Sequence, residues 1–171
     1  NFWINTDTDH DALDAHSRSL LQGRPARLYA SFPSIKSGDA RFHTAELISF
    51  VDPQAFAAWR DQPKGHRGAE YSALKQRITE GLLRLAETAI AGLTALVEYA
   101  ELSTPLSVEH YTSHPGGGFY GPPATPQRYR SLLLGPRTPL DGLLLSGQDA
   151  GCLGIAGAMM AMYISIVSVE S

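Results

Sequence analysis

From residue 151 to residue 169 the chain carries no charged side chain, and glycines stand at 151, 154 and 157 where that run begins. Leu153, Ile155, Ala156, Met159, Met160 and Tyr163 recur at helical spacing, so the run predicts a helix starting near Gly151. Just before it, residues 142–146 make a short apolar stretch, opened by Pro139 and Gly142 and closed by Gly147. That is the pattern of a buried strand. Strand, turn and uncharged helix, with Asp149 in the turn, are the arrangement around which the rest of the chain has to be organised. Three readings of it stand side by side: a bilayer span, for which the run is about long enough; a buried structural helix; and half of a nucleotide-cofactor site.

The third reading has the most chemistry behind it. The first turn of a helix presents unpaired backbone N–H groups and partial positive charge, which favour phosphate or any electron-rich ring edge brought close. Gly151, Gly154 and Gly157 put no side chain between such a ligand and the backbone. Asp149 is able to accept hydrogen bonds from sugar-like hydroxyls. The half that grips a diphosphate is not legible here, because no G-x-G-x-x-G follows a strand near the N-terminus.

Composition narrows the alternatives. With 14 Lys and Arg against 17 Asp and Glu there is no basic excess to suit nucleic acid, and no basic cluster flanks the apolar run. Cys152 is the one cysteine, so an intramolecular disulfide and a cysteine-based metal cage are both out of reach, and a reducing, cytoplasmic setting fits. At 171 residues the chain is long enough to bury a sizeable core. It begins at Asn1 without methionine or a charged-then-apolar leader, which is expected of a piece of a longer protein.

Read in order, residues 1–6 predict a strand. The run T-D-T-D-H-D then supplies helix-start chemistry before Leu13, Leu20 and Leu21, with Gly23 and Pro25 as the stop. Asp7, Asp9 and Asp11 have the spacing of a calcium loop, but Ala12 and Arg18 stand where its glycine and later carboxylate belong. Residues 27–32 and 44–51 read as two strands, antiparallel across a long polar connection. Asp52-Pro53 opens a short helix over 54–61. Residues 69–93 hold the longest amphipathic pattern, with Leu74, Ile78, Leu82, Leu85, Ala89 and Leu93 on one side, and predict a helix covering the sheet. A strand over 96–102 and a helix capped by Ser103 or Thr104 follow. His110 and His114 are four apart, yet the glutamate a zinc-protease motif needs after the first histidine is replaced by Tyr111. P-G-G-G-F-Y-G-P-P at 115–123 is irregular, permits close backbone approach, and lacks the lysine and hydroxyl of a phosphate loop.

These segments carry a resemblance. G-L-L-L-S-G-Q-D at 142–149 followed by G-I-A-G-A at 154–158 resembles the C-terminal signature of FAD-dependent oxidoreductases of the phytoene desaturase type, nearest to the carotenoid isomerase and retinol saturase branch. D-H-D at 9–11, S-F-P-S at 31–34, T-A-E at 44–46, R-G-A-E-Y at 67–71, E-L-S-T-P-L at 101–106 and P-G-G-G-F-Y-G at 115–121 agree in the expected order. The resemblance implies an α+β fold: an antiparallel sheet covered by a long amphipathic helix, with a C-terminal strand-helix completing a Rossmann-like FAD-binding domain in the parent protein. Residues 1–139 would then belong to a substrate domain and 140–171 to the FAD-binding domain.

The implied activity is that of a flavoprotein acting on a conjugated polyene, retinoid- or carotenoid-like, by saturation, desaturation or cis-trans isomerisation. FAD would be held by Gly147, Gln148, Asp149, Gly154, Ile155 and Ala156, and NAD(P) is the candidate electron donor. Gly117 and Phe119 would line the substrate, with Tyr120 and His114 at the reacting face; the sheet and the long helix would wall the substrate cavity. By itself the chain is expected to hold flavin poorly and to be inactive. A hydrophobic substrate implies peripheral membrane contact and no nucleic-acid partner. The competing function is a non-catalytic lipid- or partner-binding module that kept the fold without flavin.

Overall fold

The computed structural model describes residues 1–38, 41–118, 120–131 and 135–169. They group into two compact units, Asn1–Gly117 and Gly118–Ser171. The fold is α+β, with a three-stranded antiparallel sheet and several helices.

In the first unit the sheet runs β1 (Phe2–Asn5), β2 (Arg27–Ser31) and β3 (Glu46–Ile48) in sequence order, both pairs antiparallel. Trp3 and Ile48 both register with Tyr29, and the Trp3 and Tyr29 rings stack at 4.8 Å. Alternation on the central strand sends Leu28 and Ala30 into the core. Between β1 and β2 lies α1 (Leu13–Leu21), ended by Gly23 at φ 74°. The acidic run before it turns on its own backbone, Asp7 accepting from the Asp9 N–H and Asp9 from the Asp11 N–H at 3.1 and 3.0 Å, and Asp7 also meets His16 Nε2 at 3.0 Å and the Arg27 guanidinium at 3.6 Å. A short helix, α2 (Pro33–Ser37), sits in the connection between the two expected strands. The expected helix after Asp52 is a 3-10 helix, Pro53–Trp59, with the Asp52 carboxylate accepting from the Gln54 N–H at 2.9 Å.

The long amphipathic pattern is α3 (Gly68–Ala89), 22 residues burying Tyr71, Ile78, Leu82 and Leu85. These join Leu20, Leu28, Phe56, Leu93 and Leu106 in one core. Gly81 sits where α3 meets the end of α1, because a Cβ there would collide with the carbonyl of Gly23. The side of α3 turned toward the sheet is therefore occupied by its own core. After α3, Glu87 takes the N–H groups of Gly92 and Thr94 at 2.6 and 2.7 Å and the Thr94 hydroxyl at 2.8 Å, tying down the turn. α4 (Pro105–Thr112) is capped by Thr104, whose hydroxyl also meets the buried Tyr71 hydroxyl at 2.7 Å.

Two expected strands are not formed. Residues 96–102 leave the 3-10 turn Thr94–Leu96 as irregular chain, with Leu96 and Tyr99 exposed. Their apolar and aromatic composition suits a pleated surface, but a strand also needs a neighbour for its N–H and C=O groups. Residues 142–146 are likewise not a strand. One antiparallel bridge joins Leu144 to Arg137, and Leu143 turns back to Leu140 with Gly142 at φ 77°.

The second unit holds α5 (Pro126–Arg130) and α6 (Gly154–Val169). The last helix thus opens three residues later than the charge-free run suggests. Its buried stripe is made of small residues, Gly157, Ala161 and Ser165, spaced four apart. A Cβ at Gly157 would strike the Cys152 carbonyl, and one at Gly151 would lie 2.7 Å from the Gly157 oxygen. Ser165 Oγ donates to the Leu145 carbonyl at 2.8 Å. Along the opposite side Ile155, Met159, Met162, Tyr163 and Ile166 are exposed. Among the described residues no helix is long and apolar enough to cross a membrane.

Candidate functional site

The turn between residues 147 and 154 is built by two devices. Gly147 adopts φ 99°, and its carbonyl accepts the N–H groups of both Ala150 and Gly151 at 3.2 Å, a tight reversal that an L side chain at 147 would strain. The second device is Arg128. It is only 6% exposed, and α5 presents it after Thr125 caps the helix by accepting the Arg128 N–H at 3.2 Å. Its guanidinium donates to the carbonyls of Gln148 at 2.8 Å and Gly151 at 2.9 Å, reaches that of Asp149 at 3.5 Å, and also donates to that of Pro122. A buried guanidinium thus spends its donors on main-chain oxygens, holding the turn from below.

The expected cofactor residues fall in this one place. Asp149 is exposed, Gln148 half-buried, and Ile155 and Ala156 are exposed on the first turn of α6. Gly147 and Gly154 both have positive φ, and nothing lies within 4 Å of where a Cβ would be, so open space adjoins the backbone at both. Gly151 and Gly157 are different. Close packing of α6 on its own preceding turn accounts for them without any ligand. Gly121 lies against the turn as well, a Cβ there falling 2.7 Å from Asp149 Oδ1, so the end of the glycine-rich loop meets the Gly-Gln-Asp segment. Tyr120, half-exposed, immediately precedes it.

His114 and Gly117 belong to the first unit, in the 3-10 turn region Pro115–Gly117, where the Gly117 N–H donates to the His114 carbonyl at 3.0 Å. Gly117 packs on the backbone of Pro105, which explains its lack of a side chain. Ser113, at φ 58°, ends α4, so His110 and His114 do not share a helix face. Phe119 lies outside the described residues, as do residues 132–134 of the segment leading into the turn.

From the sequence, Ser165 was passed over, and Arg128 figures only as the start of the mixed segment 128–134, which the resemblance implies helps line the cofactor crevice. The signal for the arginine was faint: a Thr-Pro helix start with a basic residue two positions on, which reads as an ordinary surface turn until its burial is seen.

Comparison with known proteins gives the setting. An all-trans-retinol 13,14-reductase of Rattus norvegicus is 28% identical over 96% of this chain, and one of Danio rerio is 29% identical over 93%. The chain is a relative of the all-trans-retinol 13,14-reductases. It spans less than a third of these reductases' own length, 29% and 28% respectively. A Danio rerio protein named an inactive all-trans-retinol 13,14-reductase is also similar, at 28% identity over 80% of the chain. No family model matches, and no solved structure matches. The family resemblance stated from the sequence motifs therefore agrees with relatives that align along nearly the whole chain.

Proposed function

We propose that this chain is part of an FAD-dependent oxidoreductase acting on a retinoid-like polyene, with saturation of a double bond the reaction its relatives' names favour. One observation supports this above the others: alignment with retinol 13,14-reductases over 96% and 93% of the chain. In this reading residues 140–171 complete a Rossmann-like FAD-binding domain and residues 1–139 contribute to the substrate domain. Residues 142–146, bridged at Leu144 to Arg137, take their place in a sheet whose other strands come from the rest of the protein.

FAD, when bound, supplies the two-electron chemistry. The chain's own residues do the holding. Gly147 and Gly154 leave open backbone for close approach, and Asp149 accepts hydrogen bonds from polyol hydroxyls. The first amides of α6, at Gly154, Ile155 and Ala156, favour negative charge beside them. Tyr120 lines the site next to Asp149. NAD(P) is the proposed electron donor, and contact with a membrane surface, through which a hydrophobic substrate arrives, is peripheral.

The test is direct. The full-length protein, purified and given all-trans-retinol with reduced NAD(P) as the electron source, should show flavin absorbance and shift the polyene absorbance to shorter wavelength. The inactive relative keeps a second reading alive, a module that binds a lipid without flavin. A colourless full-length protein that still binds retinol would decide for that module.

A further inference from the structure

Arg128 is a charged group in a buried position whose described hydrogen bonds all run to main-chain oxygens. Burying a guanidinium is costly unless its donors are satisfied, and a fork of N–H groups satisfies several carbonyls at once in a way no other side chain does. The residues it reaches are informative. Pro122 follows the glycine-rich loop, and Gln148, Asp149 and Gly151 form the turn before α6. One side chain therefore ties together the two segments on which the flavin-facing residues lie.

Direction matters as much as attachment. In a trans peptide the N–H points away from the C=O of the same plane. With the carbonyls of Gln148 and Gly151 drawn onto the guanidinium, the N–H groups of Asp149 and Cys152 are turned to the opposite side. In the same turn Asp149 is exposed, and Gly147 and Gly154 leave open space beside the backbone. We propose that Arg128 is a positioning residue that sets the orientation of the 147–152 backbone, and with it the Asp149 carboxylate, for a bound flavin cofactor. The inference rests on the flavin reading above and concerns only how the chain prepares that site.

The experiment uses the full-length protein. Flavin dissociation constants are measured for wild type, Arg128→Lys and Arg128→Gln, with amide hydrogen exchange over residues 147–169. Lysine keeps the charge but loses the fork, so both variants should bind flavin at least about tenfold more weakly, about 1.4 kcal/mol. Exchange should rise over 147–152 and stay unchanged in α6, whereas loss of general stability would raise exchange in α6 too. Should the variants fail to accumulate, wild type alone decides: flavin must slow exchange at Asp149 and Cys152. A wild-type flavoprotein whose variants keep wild-type affinity, or whose exchange at those amides ignores flavin, overturns the role of Arg128 and leaves the flavin reading standing. A wild-type protein that binds no flavin overturns both.

Discussion

Helices α3 and α6 solve opposite problems with the same backbone. α3 buries large side chains, Ile78, Leu82 and Leu85, and keeps its charges on other faces. α6 buries Gly157, Ala161 and Ser165 and exposes its large side chains, with Ile155 at 82%. In α3 the apolar stripe is satisfied inside the first unit, as in an ordinary amphipathic helix. In α6 the inward stripe serves close approach to residues 145–152, and the outward one forms the kind of exposed apolar surface that marks an interaction site. An amphipathic helix can be stabilised by its own chain. One with small residues inside and large ones outside packs closely on its inner side and leaves an apolar outer side exposed.

The comparison can be broken most easily at its strong end. Replacing Phe56, 1% exposed and packed beside Tyr71, by alanine should cost about 3–5 kcal/mol, and Leu82→Ala about 2–5 kcal/mol, read by chemical denaturation with a probe in the first unit. A loss under about 1 kcal/mol would mean the α3 core is looser than its burial implies.

Gly157→Ala tests the small stripe of α6. Alanine is the better helix former by about 1 kcal/mol, yet its methyl group would meet the Cys152 carbonyl. Overpacking of this kind costs about 1–3 kcal/mol. Faster hydrogen exchange across α6 is the expected outcome, and a stabilised helix would remove the claim that α6 is held by close approach.

Tyr71→Phe sharpens the α3 side by deleting the two hydrogen bonds of the Tyr71 hydroxyl, with Thr104 and from Arg67, and no packing. It leaves the Thr104 hydroxyl without its buried partner and should cost about 1–3 kcal/mol in the same denaturation assay.

Acid should separate the units further. The Thr94 N–H first, then the Thr94 hydroxyl and Gly92 N–H, hold the Glu87 carboxyl below its ordinary range. A carboxylate depressed in the folded state stabilises above its unfolded pKa, and that contribution is lost as pH falls through the folded value. Stability of the first unit should therefore decline from the ordinary carboxylate range downward. Glu87→Gln should flatten that part of the profile, and a pH–stability curve identical in wild type and variant would count against this anchor.

The smallest effect is expected on the outer side of α6. Met159→Lys or Ile155→Lys should change the stability of this chain by no more than about 0.5 kcal/mol, as surface substitutions do. In the full-length protein the same changes should cost several times more. Equal, negligible effects in both settings would show that nothing covers that side.

Much of the first unit was legible because its signals are local. Helical periodicity marked α3, Asp-Pro marked the 3-10 helix, weak alternation marked β1, and β-branched and aromatic composition marked β2 and β3. The two strands expected at 96–102 and 142–146 failed for a common reason: apolar composition says that a segment fits a sheet, not that a sheet edge is there to receive it. At the candidate site the sequence gathered the Gly-Gln-Asp turn and the start of α6 correctly into one place, since they are neighbours along the chain. It mistook Gly151 and Gly157 for ligand-facing positions, and gave Arg128 only as part of a segment implied to line the crevice, not as the buried group that holds the turn.

By itself, then, the order of residues determined that α1, α3, α4 and α6 would be helical, which face of α3 would be buried, and where a carboxylate would precede a glycine-rich helix start. Only the tertiary structure decided which glycines face open space and which face other backbone, and that an arginine from a five-residue helix would be the group fixing the turn. The reason is physical. Periodicity and capping act within a few residues, whereas the burial of the Arg128 charge depends on chain brought in from twenty or more positions away, and the clearance beside Gly151 and Gly157 on how α6 packs back on the turn before it.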